Sequence, residues 1–116
     1  MREILFRAKS VATGNWVYGD LYSRGAPSIY SNGERLSVDK YTIGQYIGLT
    51  DKNGTKIFEG DFLTNVYLNP QKITPLHIHF DEYCACYRAG RFQIDKNCCL
   101  NYTIIGNIYD NPELLK

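Results

Sequence analysis

The stretch Leu49-Thr50-Asp51-Lys52-Asn53-Gly54-Thr55-Lys56-Ile57-Phe58 turns the chain back on itself. Two arms with apolar ends flank Asn53-Gly54, the strongest short-range signal of a β-hairpin. A two-residue loop at that pair places Leu49 opposite Phe58 and Asp51 opposite Lys56. A type I turn that begins at Asp51 and leaves Gly54 left-handed is the competing geometry. Either turn makes the segment antiparallel. Glu59-Gly60-Asp61 then kinks the chain before the apolar stretch Phe62 to Leu68, so the hairpin as a whole runs from Gln45 to Val66.

Working outward toward the N-terminus, similar units recur. Asn32-Gly33 sits inside Ser28 to Ser37. A type I′ loop there pairs Tyr30 with Arg35 and Ile29 with Leu36, so that two apolar residues meet on one face. Ile4 to Lys9 alternates, with Ile4, Phe6 and Ala8 on one side. Thr13-Gly14-Asn15 is a turn, and Trp16 to Tyr22 is a strand interrupted by Gly19, which implies a bulge or a close backbone approach. Asp39 can cap one short helical turn that Gly44 ends.

Toward the C-terminus, Asn69 to Pro75 reads as a loop. Leu76, Ile78 and Phe80 share one strand face, and Tyr83, Ala85 and Tyr87 share another. The parity change at Asp81-Glu82 implies a bulge or bend. Ala89-Gly90 turns the chain, which brings Phe92 to Tyr87 and Ile94 to Ala85. Leu100, Tyr102 and Ile104 make a last strand ending near Gly106. Asn111-Pro112-Glu113 reads as a short terminal helical turn.

Composition agrees with many short strands. Among 116 residues, 38 are aromatic or β-branched, only five are Ala, and ten Gly with four Pro punctuate them. Seven or eight strands at these spacings imply one domain, residues 1–116, folded as a closed or nearly closed small β-barrel. The net charge of +1 supplies no one-signed field of the kind that non-specific nucleic-acid or membrane binders carry. No apolar run is long enough to span a bilayer. The opening Met1 to Arg7 places charges where a signal peptide needs an apolar core. A cytoplasmic protein with four reduced cysteines is the expectation.

Three groups of residues invite a site. His77-x-His79, Cys84-x-Cys86 and Cys98-Cys99 are metal-ligand types, and strand residues two apart point the same way. The two-residue spacing of structural zinc knuckles is absent, and adjacent Cys98 and Cys99 cannot face one point on a regular strand. His77 and His79 alternate against Leu76, Ile78 and Phe80 as solvent-face residues do. The expectation is small thiols and surface imidazoles, with no metal and no cofactor. Asp51-x-Asn53-Gly54 is not a calcium loop, because Lys56 and Phe62 stand where the glycine and the bidentate glutamate belong. No phosphate-cradling glycine motif occurs. His77 or His79 with Cys84 is a conceivable nucleophile and base, but nothing in the chain order places them together. Tyr83, Tyr87, Arg88, Arg91 and Phe92 gather around one hairpin and offer rings and cations to a nucleic-acid strand. Against that, Tyr87 and Phe92 suit a cross-strand core pair.

Three segments resemble one family. They are Met1 to Ala8, then Val38-Asp39 with Gly44 to Asp61, and Ile105 to Leu115. In order and spacing the chain is similar to the YopX-like proteins of bacteriophages and prophages. The resemblance implies a mostly β fold, a small SH3-like pseudo-barrel of short antiparallel strands with a short helical cap. It implies no catalytic residues. The stretch His77 to Cys99 lies outside the shared pattern.

The expectation is a non-enzymatic phage or prophage accessory protein, a self-associating protein-interaction module and homo-oligomer in the bacterial cytoplasm. No membrane role is expected. Sixteen aromatic rings exceed what one small core can centre, which motivates self-association. A nucleic-acid-binding small β-barrel is the alternative.

Overall fold

The computed structural model describes residues 2–65 and 75–115, with only the backbone at Cys98 and Cys99. The expected strand end at 66–68 and most of the loop Asn69 to Pro75 lie outside the described residues. The fold is mostly β. Its strands are β1 (Phe6–Lys9), β2 (Trp16–Tyr22), β3 (Ser28–Ser31), β4 (Glu34–Ser37), β5 (Gly44–Thr50) and β6 (Lys56–Phe58), followed by β7 (Asp61–Asn65), β8 (Leu76–Asp81), β9 (Cys86–Ala89), β10 (Phe92–Gln93) and β11 (Tyr102–Asn107). One helical turn, α1, covers Lys96–Cys99, and 3-10 turns cover Lys40–Thr42 and Pro112–Leu115.

These strands form two antiparallel sheets, in the orders β4-β3-β2-β1-β5-β6 and β10-β9-β8-β7-β11. Among the described residues no pairing joins the end strands, so of the expected closed or nearly closed barrel the closed form is excluded. The outer edge of β11 is already used: the Lys52 N–H donates to the Tyr102 carbonyl at 2.8 Å, and Asp51 accepts from the Ile104 N–H. β10, at the opposite end, is two residues long. A short edge and a covered edge keep the sheet open without leaving a long row of unpaired amides.

The chain divides into two compact units, Met1–Tyr46 and Ile47–Lys116. In the first unit the hairpin at Asn32-Gly33 has the expected register, Tyr30 with Arg35 and Ile29 with Leu36. Both turn residues have positive φ, as a type I′ loop requires. At Gly19 the close approach is the correct alternative, since a Cβ there would overlap the Tyr30 carbonyl oxygen. β1 begins at Phe6 rather than Ile4, which is exposed. The helical turn expected after Asp39 is a three-residue 3-10 turn. The Asp39 side chain accepts from the Tyr41 N–H at 3.0 Å. Thr42, buried below it, accepts from the Lys9 N–H at 2.9 Å and so ties the turn to β1. The core of this unit is Ala8, Ile29 and Val38, with Phe6, Val17, Leu21 and Ile43 packed on it. Removing a side chain such as Ile29 wholly from water contributes about 2 kcal/mol.

In the second unit Ile47, Ile57, Leu63, Ile78, Ala89 and Ile94 form the core. Strands β7, β8 and β9 place Leu63, Ile78 and Ala89 on one face of their sheet, with Leu63 opposite both Leu76 and Ile104, and Ile78 opposite Ala89. The central turn takes the type I geometry. The Gly54 N–H donates to the Asp51 carbonyl at 3.0 Å, Gly54 has φ +84°, and the Asp51 N–H donates to the Thr55 carbonyl at 2.9 Å. The kink at Glu59-Gly60-Asp61 is held by buried Asp61, whose carboxylate accepts from the Phe58 N–H at 2.8 Å.

Strands β8 to β10 differ most from expectation. The parity change at Asp81-Glu82 is a full chain reversal, with Asp81 opposite Cys86 and residues 82–85 as its loop. The next turn is tighter than expected, so Phe92 lies opposite Ala89 rather than Tyr87. The Ile94 N–H consequently donates to the Tyr87 carbonyl instead of meeting Ala85. Both errors share a cause. A loop closed by side-chain hydrogen bonds leaves no trace in a period-two pattern.

Candidate functional site

The hairpin between β8 and β9 is organised by Asp81. Its Oδ1 accepts from the N–H groups of Tyr83 and Cys84 at 3.0 and 3.3 Å. Its Oδ2 accepts from Arg88 Nε at 2.7 Å. The Arg88 side chain and the Cys84 and Tyr83 amides hold the Asp81 carboxyl below its ordinary range. The remaining Arg88 nitrogens donate to the Arg91 carbonyl and to Cys84 Sγ, at 3.2 and 3.3 Å. Arg88 is therefore committed to its own loop.

Of the residues that offered a nucleic-acid surface, Tyr87 and Phe92 lie on the core face of the sheet, while Arg88 is held within its loop and Tyr83 stands in the turn. Tyr87 is half-buried and meets Phe80 edge to face, with ring centroids 5.1 Å apart. Tyr83 stands in the loop at 98 % exposure, and Phe92 lies on the face of Ala89 and Ile78.

The metal-ligand types are also separated. Cys84 is an exposed loop residue and Cys86 opens β9, so they do not share a strand face. His77 and His79 do share one, with ring centroids 5.6 Å apart. They are half-buried rather than solvent-facing. His77 packs on buried Phe62 at 5.8 Å, and His79 Nε2 is 3.1 Å from the Gly90 carbonyl. Burial, with the neighbouring His79, lowers the His77 pKa. Among the described residues no three His, Cys, Asp or Glu side chains come close enough to hold a metal ion. The side chains of Cys98 and Cys99 lie outside the described residues.

What the second unit does present is an apolar recess of about 270 Å³. Leu63, Leu76, Ala89, Ile94 and Tyr102 line it, together with Phe92 and Gln93 of β10. The register explains it. Phe92 continues the core face of the sheet onto the two-residue strand β10, and 64 % of its surface is exposed. No carboxylate, imidazole or thiol belongs to the described lining, so its chemistry is that of binding an apolar group. Its volume suits a side chain rather than a drug-sized molecule.

The sequence signalled neither this recess nor the role of Asp51. That carboxylate is buried, and it accepts from Asn53 and Thr55 through Oδ1, at 2.9 and 3.0 Å. Through Oδ2 it accepts from the Ile104 N–H at 3.0 Å and the Thr103 hydroxyl at 3.4 Å. Asn53 Nδ2 adds a bond to Thr103 Oγ1 at 3.1 Å. At the chain's end Asn107 plays a similar part, accepting from the N–H groups of Tyr109 and Asp110 at 3.0 and 2.9 Å.

Among the described residues no helix is long and apolar enough to cross a membrane. No curated protein matches the chain. A crystal structure of protein EF1440 from Enterococcus faecalis is similar over 100 % of both chains, with a TM-score of 0.68 and 22 % sequence identity. At that identity the likeness establishes the fold alone. Residues 5–116, nearly the whole length, match the family described as YopX protein. The three segments quoted above and this match agree, and the chain belongs to the YopX family.

Proposed function

We propose that this YopX chain is a non-enzymatic accessory protein of phage or prophage origin, acting in the bacterial cytoplasm as a self-associating protein-interaction module. An SH3-like pseudo-barrel with a short helical cap belongs to the same proposal, with Lys40–Thr42 and α1 as the segments available to the cap. The observation that carries the reading is the apolar recess with exposed Phe92 in its lining. A large exposed ring beside an apolar hollow is the arrangement of an interface anchor. A second copy brings the same ring and the same hollow, so a two-fold contact is self-complementary. The near-zero net charge opposes it little.

Light scattering over a concentration series tests the proposal. The expected result is a mass above the 13.3 kDa monomer that rises with concentration and levels at a whole multiple. A monomer mass persisting at high concentration in physiological salt refutes it. Affinity capture from host cells with and without nuclease separates a protein partner from the alternative reading of the chain as a nucleic-acid binder.

A further inference from the structure

We infer that the outer face of β1 to β4 is a stacking platform for single-stranded nucleic acid. This surface belongs to the first unit, whereas the hairpin that the sequence nominated belongs to the second. Strand parity and register put Trp16, Tyr18, Tyr22 and Tyr30 on one face together with Lys9 and Arg35. The core of the unit, Ala8, Ile29 and Val38, lies on the opposite face, so these rings are not core residues. Tyr18 and Tyr30 are 45 % and 42 % exposed.

The cations on this face sit against rings. Arg35 Cζ is 4.2 Å from the Tyr22 centroid, and Arg7 Cζ and Lys9 Nζ are 4.5 and 5.4 Å from Trp16. Tyr30 meets Tyr22 edge to face at 6.3 Å, which fixes both rings. Arg35 Nε donates to Ser28 Oγ at 3.1 Å, one of its five donors. Buried Arg7 shapes the floor, while half-buried Lys9 and exposed Arg35 reach the surface. Asp20, the acid of β2 on this face, lies beside Tyr30, while Lys9 and Arg35 are the cations that reach its surface.

Rings beside cations on an open sheet are what a single strand requires. Bases stack on the π-faces and phosphates meet the cations. A duplex keeps its bases stacked on each other and cannot use the rings. An acidic peptide would use the cations and leave the exposed rings of Tyr18 and Tyr30 without a role.

Trp16 is the chain's only tryptophan, so its fluorescence reports on this face alone. Titration with a dye-labelled oligo(dT) at low salt should quench Trp16 and raise the dye's anisotropy together. Affinity should fall as salt rises, and a duplex of equal length should bind more weakly. Tyr30→Ala and Arg35→Ala, each confirmed folded by circular dichroism, should weaken binding by about five-fold or more. Tyr83→Ser, in the exposed loop of the second unit, should leave it unchanged. Three results overturn the inference: no response up to about 100 µM, the weak end of non-specific binding; binding that Tyr30→Ala and Arg35→Ala both leave intact; or a Trp16 signal that follows protein concentration and ignores the oligonucleotide.

Discussion

Two turns in the second unit open on an aspartate, at Asp51 and at Asp81, and they use it differently. In each, Oδ1 accepts from two backbone N–H groups just downstream and so shapes the turn. The difference lies in Oδ2. In Asp51 it reaches Ile104 and Thr103, more than fifty residues away, inside a buried setting. In Asp81 it reaches Arg88, seven residues away and partly in water. One carboxylate therefore joins distant parts of the fold, and the other only closes its own hairpin.

Substitution of Asp51 should break this contrast most strongly. Asp51→Ala removes the acceptor for the Ile104, Asn53 and Thr55 amides at once. Losing charge-assisted bonds in a buried place costs about 3 kcal/mol or more. Chemical denaturation should show the loss as a lower midpoint, and an unchanged midpoint would mean that the Asp51 network holds nothing.

Gly54→Val probes the same turn through its backbone. Gly54 has φ +84° and open space around the position where a Cβ would stand. The cost is therefore conformational rather than steric, about 1 kcal/mol or more. A denaturation midpoint equal to wild type would contradict the turn geometry.

How far the sequence led follows the same division between local and distant partners. Asn32-Gly33 set its hairpin's register correctly because loop and pattern are both local. At residues 81–93 the pattern was local too, but side chains closed the loop. Asp81 and Arg88 meet through a reversal that no alternation records, and the shifted register moved Phe92 from a core pair with Tyr87 to the edge of an exposed recess. Asp51 was legible as a turn former and not as a link, since Thr103 and Ile104 carry no mark of their partner. The rings of Trp16, Tyr18, Tyr22 and Tyr30 were legible only as composition until the pairing of β1 to β4 aligned them.

Two smaller tests use protons. Burial lowers the His77 pKa from 6.5, so folding favours the neutral ring. The stability this contributes is complete above pH 6.5 and is lost as pH falls through the lower folded value. His77→Gln should flatten that slope in midpoints measured from pH 7 downward, and an unaltered slope would assign it to another group. Asp81 likewise favours its charged form when folded. Its contribution is present above the ordinary value of 3.8 and is lost as pH falls through the depressed one. Because the hairpin is solvated, Asp81→Asn should change stability much less than Asp51→Ala. A larger loss at Asp81 would invert the comparison.

The central claim is that the recess beside β10 is the surface through which copies associate. Light scattering on Phe92→Glu beside wild type, at one high concentration, tests it most directly. Phe92 is 64 % exposed, so the charge should leave folding intact while placing a carboxylate in an apolar contact. The expected result is a wild-type oligomer and a folded variant of 13.3 kDa. A folded Phe92→Glu protein that keeps the wild-type mass would contradict the claim.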